Sequence, residues 1–353
     1  MPDRSDREGP PVSARGGATT GPAASVAVAS DAAETPPPRA ETDPRAIVVD
    51  GRYQVVAPLG QGGMGIVHLA EDTGLGRHVA LKMIAPRWLG DGAMVASFQR
   101  EAKAIASIRS QYVVQVFAFG LHEGSYFFAM EYVRGRPLRQ IIGEHREHGD
   151  TVPIHRSLTI LGNVAQGFDA VHAAGIVHRD VKPSNVVIEE DTGRPVLVDF
   201  GLAVPTADPA AALALGTPQY MAPEQAGVGS PGARVSARTD VYSLGIVAFE
   251  LLSGRLPFDS DDVAQLVRQH ARKTPPAVSA TARDLAPFDA AVARALAKDP
   301  ADRYATCGAF AEALAEAGER WITSQLPTLP PPAKPDRAPA STGGPASVPV
   351  SVS

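Results

Sequence analysis

Hydrophobic and polar residues change their spacing along this chain, and the change predicts two kinds of structure. From residue 53 to residue 84, short β-branched runs are separated by glycines, which is typical of strands joined by hairpins. Residues 94–108 place their apolar side chains on one face at helical spacing and predict an amphipathic helix. Residues 112–120 and 125–133 predict two further strands.

Helical spacing dominates from residue 157 onward. The expected helices cover residues 158–174, 240–253, 262–270, 286–297 and 307–323. Short apolar runs near residues 186–188 and 196–198 predict two strands between them. A small β-rich lobe with one helix, followed by a larger and mainly helical lobe, is an α+β arrangement.

Both ends of the chain differ from the middle in composition. Residues 1–48 and 324–353 are rich in Ala, Pro and Ser and hold few large apolar side chains. They therefore bury too little surface to offset the entropy cost of ordering, and we expect two disordered arms. The folded region is predicted at residues 49–323, with a small lobe over 49–131 and a large lobe over 134–323.

Charge and composition exclude several classes of protein. The formal net charge of −5 gives no strong basic field for nucleic acid. The one cysteine, Cys307, excludes a disulfide framework and a zinc site built from cysteines. No apolar run has the length of a membrane span, and the charged N-terminus lacks the apolar segment of a secretory signal. We expect a cytoplasmic protein that binds no nucleic acid and has no membrane span.

A glycine-rich run lies between two of the predicted strands. Its sequence is Gly60-Gln61-Gly62-Gly63-Met64-Gly65. Glycines at these positions permit a tight turn and a close backbone approach to a phosphate chain. The pattern is weak by itself, because a glycine-rich hairpin that binds no ligand has the same appearance in sequence.

A lysine follows in an apolar setting. Lys82 ends the run Val79-Ala80-Leu81-Lys82, where a buried ammonium is costly unless it is paired. Glu101 lies on the predicted amphipathic helix and is the acid that we expect to pair with it. Such a pair can hold the ammonium against the phosphates of a nucleotide.

The most specific signal comes from three later motifs in a fixed order. These are His178-Arg179-Asp180-Val181-Lys182-Pro183-Ser184-Asn185, then Asp199-Phe200-Gly201, then Ala222-Pro223-Glu224. With them the chain resembles the eukaryotic-type (Hanks-type) protein kinase family over residues 53–323. The resemblance implies a bilobal protein kinase fold and a Ser/Thr kinase that depends on ATP and Mg²⁺, with Mn²⁺ as an alternative metal. Its substrates would be Ser and Thr hydroxyls of proteins, itself included.

The same resemblance assigns roles to single residues. Asp180 would accept or orient the proton of the substrate hydroxyl, and Lys182 would stabilise the γ-phosphate. Thr217 would bridge Asp180 and Lys182. The implied catalytic group is Asp180, Lys182, Lys82, Glu101 and Thr217.

Metal and nucleotide positions are implied in the same way. Asn185 and Asp199 would hold magnesium, which prefers oxygen ligands. The backbone of residues 131–133 would form the hinge that bonds adenine. The implied ATP-binding residues are Leu59, Gly60, Gln61, Gly62, Gly63, Met64, Gly65, Val67, Ala80, Lys82, Met130, Glu131, Val133 and Val187.

Two further parts of the resemblance concern the frame of the site. Glu224 resembles the acid that pairs with a later arginine, here Arg303. Asp240 resembles the acid at a helix start that braces the catalytic loop. An apolar spine that couples the lobes is implied at Ile105, Val116, His178 and Phe200.

Sequence details indicate the subtype. Lys182, two residues after Asp180, and the run Gly216-Thr217-Pro218-Gln219-Tyr220 are typical of Ser/Thr kinases. The runs 61–65 and 223–225 resemble those of bacterial members. The resemblance to bacterial kinases also implies that two small lobes could pair to form a homodimer.

One segment departs from the family pattern. Residues 202–216 contain Thr206 as their one hydroxyl, whereas bacterial relatives commonly carry threonines in the middle of this loop. We therefore expect the loop to be ordered by apolar contacts of Leu213 and Leu215, or by a partner, and not by phosphate.

Two other functions stay open from the sequence. A pseudokinase would bind nucleotide without turnover, but such proteins usually lack one of the three residues Lys82, Asp180 and Asp199, which are all present here. A small-molecule kinase of related fold rarely keeps the Ala-Pro-Glu segment, because it has no peptide platform to build.

Overall fold

An antiparallel sheet of six strands forms the first part of the fold. The structure is a computed structural model, and it describes residues 47–61, 65–85, 90–199 and 217–325. The strands are β1 (Val48–Val49), β2 (Tyr53–Gln61), β3 (Gly65–Asp72), β4 (Arg77–Ile84), β5 (Val116–His122) and β6 (Ser125–Glu131). Their order across the sheet is β1-β2-β3-β4-β6-β5, so β4 lies inside the sheet.

The register of β3 against β4 depends on one glycine. Gly65 lies opposite Ile84, where a Cβ atom at Gly65 would stand 2.0 Å from the carbonyl oxygen of Met83. Only glycine allows the backbones to approach this closely. The pairing places Val67 opposite Lys82 and so fixes the glycine-rich strand over the lysine.

Helix α1 (Gly92–Ser107) packs against this sheet. Asp91 begins it, because its carboxylate accepts hydrogen bonds from the backbone N–H groups of Ala93 and Met94. Phe98 on its apolar face packs against Phe128 of β6, with ring centroids 5.1 Å apart. The buried face of the helix also carries Glu101, and this placement aims a carboxylate at the sheet.

The second part of the fold is mainly helical. Its helices are α2 (Leu138–Glu147), α3 (Ile154–Ala173), α4 (Ala237–Ser253), α5 (Val263–Arg272), α6 (Asp289–Ala295) and α7 (Cys307–Gln325). A small antiparallel sheet joins β7 (Gly135–Pro137), β8 (Val186–Glu189) and β9 (Pro195–Leu197). Short 3-10 helices cover Pro183–Asn185, Pro218–Tyr220, Val278–Ala280, Arg283–Phe288 and Pro300–Asp302.

Helix α4 lies at the centre of the helical part. Ser236 and Thr239 form a capping box at its start, and Gly254 ends it in a left-handed conformation. The helix is buried along almost its whole length, and its second half is accordingly apolar apart from Glu250 and Ser253.

Some elements differ from the sequence predictions. Residues 112–114 precede β5 and do not extend it, because Val113 pairs in parallel with Leu197 of the second sheet. The helix predicted at 286–297 is a 3-10 helix followed by the shorter α6, and Pro287 lies within the 3-10 segment. The short strand β7 and helix α2 were not predicted.

Most of the two predicted arms lies outside the described residues, but their inner boundaries were wrong: Val48 pairs in β1, and α7 continues past residue 323 to Gln325. The described elements run from β1 to the end of α7 at Gln325. Within the described ranges, no helix has the length and apolar character to cross a membrane. Phe200, Thr206, Leu213 and Leu215 also fall outside the described residues, so the predictions made for them stay predictions.

A buried ion pair joins the segment that holds Glu224 to the end of the helical part, as the family resemblance implied. Arg303 donates two hydrogen bonds to Glu224, at 2.7 Å and 2.9 Å, and both side chains are fully buried. Thr239 also donates to Glu224, and Arg303 also donates to three backbone carbonyl groups, those of Ala297, Arg238 and Lys298. Because every charge is compensated, the hydrogen bonds and the ion pair offset the desolvation cost of burial, and the pair fixes these segments relative to one another.

We predict that Arg303→Met lowers the free energy of unfolding by about 3–5 kcal/mol, because it leaves the buried Glu224 carboxylate without its cation. Urea unfolding measures the change. The matched control is Arg136→Met, since Arg136 pairs with Glu144 at the surface, where a salt bridge contributes about 0–1 kcal/mol. Equal losses in the two variants would contradict a special role for the buried pair.

Candidate functional site

One buried carboxylate, that of Asp240, bonds the backbone at the start of the loop of residues 178–185. Asp240 is fully buried in the first turn of α4 and accepts hydrogen bonds from the backbone N–H groups of His178, at 2.8 Å, and Arg179, at 2.9 Å. Arg179 has a φ of 67°, an uncommon backbone conformation for a residue other than glycine. The bonds to Asp240 stabilise this conformation immediately before Asp180.

Two polar side chains contact Asp180, and a third, that of Thr217, contacts one of them. The Lys182 ammonium lies 2.7 Å from the Asp180 carboxylate and donates to the Thr217 hydroxyl at 2.9 Å. The Asn185 amide nitrogen donates to the carboxylate and the backbone carbonyl of Asp180, at 3.0 Å and 2.9 Å. These bonds orient the carboxylate and leave the amide oxygen of Asn185 as its remaining ligand atom.

A second cluster is centred on Lys82. Its ammonium lies 2.7 Å from Glu101 of α1 and 2.8 Å from Asp199, which follows β9. The predicted pair with Glu101 is therefore present, and the structure adds Asp199 as a second partner. Lys82 also lies within β4, which continues to Ile84, and not at its end as the sequence suggested.

Burial and charge shift the pKa values of this cluster. Burial alone would lower the pKa of Lys82, but the charges of Asp199 and Glu101 raise it above its ordinary value. Burial raises the pKa of Glu101 to about 7, against the opposing charge of Lys82. The pKa of Asp199 is lowered, because the attraction of Lys82 outweighs burial. The ammonium and the Asp199 carboxylate are therefore both ionised at neutral pH.

Apolar side chains predicted to contact a nucleotide base lie in one continuous hydrophobic cluster. The register places Ala80 opposite Met130, next to the pairing of Val67 with Lys82. The buried members of the wall are Leu59, Val67, Ala80, Met130, Val133 and Val187. They come from β2, β3, β4, β6, the segment after β6 and β8, so both parts of the fold contribute.

The structure describes both ends of the glycine-rich turn, up to Gln61 and from Gly65 onward. Gly60 pairs with Val67, and Gln61 pairs with Ile66. Gly62, Gly63 and Met64 lie outside the described residues. Of the predicted spine, Ile105 and His178 are buried and Val116 is half-buried.

Sequence reasoning missed one residue that supports the hinge. Arg194 donates to Glu131 at 2.8 Å, to Glu189 at 2.9 Å and to the carbonyl oxygen of Gln111 at 2.6 Å. Hydrogen bonding to the two carboxylates raises its pKa further above the ordinary value. No motif surrounds Arg194 in the sequence, because its partners are brought together only by the fold.

Most of this chain is similar in sequence to proteins of a known family. Residues 53–315 match the family profile described as "Protein kinase domain". This chain belongs to the protein kinase family. The expected bilobal kinase fold, with a β-sheet lobe and a helical lobe, is thereby confirmed.

Curated relatives of this kinase domain are bacterial serine/threonine-protein kinases. PksC of Streptomyces coelicolor is 38% identical over 270 residues, which cover 74% of this chain and 48% of that protein. PknL of Mycobacterium tuberculosis is 38% identical over 276 residues, which cover 76% of this chain and 67% of that protein. The chain spans between 33% and 48% of the length of the first three relatives, pkn2 and Pkn1 of Myxococcus xanthus among them. The resemblance to bacterial kinases of the Hanks type is confirmed.

Solved structures agree with this assignment. The kinase domain of Mycobacterium tuberculosis PknI superposes with a TM-score of 0.61 at 33% identity. The superposition covers 77% of this chain and 98% of that domain. The fold described above is therefore similar to that of a solved bacterial kinase domain.

We predict that Arg194→Met lowers the free energy of unfolding by about 1–2 kcal/mol, because Glu131 and Glu189 lose the cation that they share. Chemical denaturation measures the change. Arg134→Met is the matched control from the same region, since Arg134 pairs with Glu190 where both side chains are more than half exposed. A loss in the control as large as that in Arg194→Met would refute the partly buried network of Arg194 as the cause.

Proposed function

We propose that this protein transfers the γ-phosphoryl group of ATP to Ser and Thr hydroxyls of proteins, itself included. The observation that carries the proposal is the convergence of two polar clusters. Lys82 bonds Asp199, and Asp180 bonds Lys182 and Asn185. The backbone N–H of Val198 donates to the carbonyl oxygen of Asn185 at 3.1 Å, which brings Asn185 beside the segment that carries Asp199. Family membership supports the same activity.

Lys82 serves in this proposal to position the phosphates. Its ammonium is buried and held by two carboxylates, so it has little freedom to move. A fixed cation can compensate phosphate charge without reorganisation during the reaction. Glu101 acts through Lys82 and is a positioning residue.

Asn185 and Asp199 fit a magnesium site. Asp199 offers an ionised carboxylate, whose side chain is 30% exposed, and Asn185 offers an amide oxygen. This set of oxygen donors suits Mg²⁺, and Mn²⁺ is an alternative that takes the same ligands. When bound, the metal supplies positive charge that compensates the phosphates.

The acceptor hydroxyl would approach Asp180. A small surface pocket opens beside this carboxylate, and its lining residues are Arg179, Asp180, Val181, Thr217, Tyr220 and Met221. Asp180 would accept or orient the hydroxyl proton, and Lys182 would stabilise the transferred phosphoryl group. Thr217 holds the Lys182 ammonium, which supports its proposed bridging role.

The alternatives remain as outcomes of experiments. A pseudokinase would bind ATP and transfer nothing, and a small-molecule kinase would leave proteins unmodified. The presence of Lys82, Asp180 and Asp199 with their partners favours turnover. The predicted pairing of two small lobes and the cytoplasmic location stay predictions.

We predict that Lys82→Met lowers phosphate transfer by at least about 100-fold, because the phosphates lose their fixed cation. Transfer of labelled phosphate from ATP to a generic protein substrate and to the enzyme itself measures the effect. Lys103→Met is the matched control, since Lys103 lies on α1 near Glu101 with an exposed side chain. Near-normal turnover in Lys82→Met would rule out the proposed role.

We predict that Asp180→Asn loses protein phosphorylation by at least about 100-fold while it still binds ATP, because the amide cannot accept the hydroxyl proton. Labelled ATP measures transfer, and equilibrium binding measures ATP affinity. Tight ATP binding without transfer in the unaltered protein would indicate a pseudokinase. Transfer by Asp180→Asn at the unaltered rate would show that another group acts as base.

A further inference from the structure

Three side chains of different chemistry meet where α3 contacts the start of α7. Asp169 and His172 lie three residues apart on one face of α3, and Cys307 is the first residue of α7. A carboxylate oxygen, a histidine nitrogen and the cysteine sulfur all lie within 4.8 Å of one another. The kinase reaction proposed above uses none of these three residues.

One ring nitrogen of His172 has no hydrogen-bond partner among the described residues. Its Nε2 atom lies 2.7 Å from the Asp240 carboxylate, which is an acceptor, so Nε2 carries the proton and Nδ1 carries a lone pair. Nδ1 is shielded from solvent and has no hydrogen-bond partner among the described residues. A histidine whose second nitrogen donates to a carboxylate is the usual arrangement of a metal-bound histidine.

Asp169 fixes the position of the cysteine. Its two carboxylate oxygens accept hydrogen bonds from the backbone N–H groups of Cys307, at 3.1 Å, and Gly308, at 3.0 Å. A Cβ atom on Gly308 would stand 2.4 Å from the same carboxylate, so glycine permits this approach. The start of α7 is thus held against α3, with the thiol beside His172.

The charges around the site favour a cation. Cys307 is fully buried, and burial together with the charges of Asp240 and Asp169 raises the pKa of its thiol well above the ordinary value. Two carboxylates near one histidine give surroundings whose negative charge a divalent ion would compensate.

We propose that Asp169, His172 and Cys307 bind one divalent metal ion of the zinc class, with water as the fourth ligand. One oxygen, one nitrogen and one sulfur donor suit zinc, which forms bonds of about 2.0–2.3 Å to such atoms. On binding, the thiol releases one proton to the solvent and the sulfur bonds the metal, with no change of oxidation state. The single cysteine excludes a site with several thiolates but permits this mixed one.

This site is distinct from the proposed magnesium site. Asn185 and Asp199 offer oxygen donors alone, whereas the new site includes a thiolate. His172 connects the new site to Asp240, which bonds the backbone of His178 and Arg179. A bound ion would therefore hold His172 in place, and His172 in turn donates to Asp240, which bonds the loop of residues 178–185.

Cobalt titration of the full-length protein tests the proposal. The protein is stripped with chelator, supplied with excess Mg²⁺ to fill oxygen-only sites, and titrated with Co²⁺. Because the chain has one cysteine, a thiolate-to-cobalt charge-transfer band can come only from Cys307. We expect this band to saturate at one equivalent of Co²⁺ and to disappear when Zn²⁺ is added.

Two variants serve as controls. Cys307→Ser should lose the band and bind Co²⁺ at least about tenfold more weakly, because the thiolate is replaced by a hydroxyl. Asp199→Asn should keep the band, since Asp199 belongs to the other site. Loss of the kinase reaction in Asp199→Asn with the band unchanged would separate the two sites.

Thermal unfolding of the unaltered protein provides a second measurement that does not depend on the folding of a variant. Zn²⁺ should raise the unfolding midpoint in the presence of Mg²⁺. A spectrum without the thiolate band at saturating Co²⁺, or cobalt uptake that is equal in the native protein and Cys307→Ser, would overturn the proposal.

Discussion

The candidate active site depends on the compensation of one buried charge, the ammonium of Lys82, by two carboxylates. A lysine inside a sheet is costly unless its charge is compensated, and here the partners come from both parts of the fold. Glu101 approaches from α1, and Asp199 approaches from the segment after β9. The charge of Lys82 must be compensated, and this requirement sets the positions of α1 and of Asp199, the proposed metal ligand.

Buried polar pairs have the same effect in the helical part. Asp240 holds two backbone N–H groups of the loop of residues 178–185, and the pair of Glu224 with Arg303 joins a later segment to the last helices. Each carboxylate is fully or almost fully buried and has its hydrogen bonds satisfied. Removing a partner would leave an uncompensated group, so these pairs define one conformation of the loop. Local backbone strain at Arg179 is tolerated because this surrounding frame is rigid.

The wall proposed for the adenine base is also part of the hydrophobic core. Val67, Ala80 and Met130 belong to the same cluster as residues deep in the helical part. Core packing and ligand binding therefore place similar demands on these positions, and apolar residues satisfy both. Arg194 adds a polar constraint on the outside of the same region, where it links Glu131 to the β8–β9 hairpin.

The sequence by itself determined the motifs, their order and the main elements, because each depends on residues that are close in the chain. It predicted the pair of Lys82 with Glu101, because a charge inside an apolar run is costly unless it is compensated. It did not predict the second partner of Lys82, or the pairing of Val113 with Leu197 in place of a longer β5. Nor could it find the bonds of Arg194 or the meeting of His172 with Cys307. These contacts join residues that are distant in the chain, so only the packing of strands and helices against one another decides them.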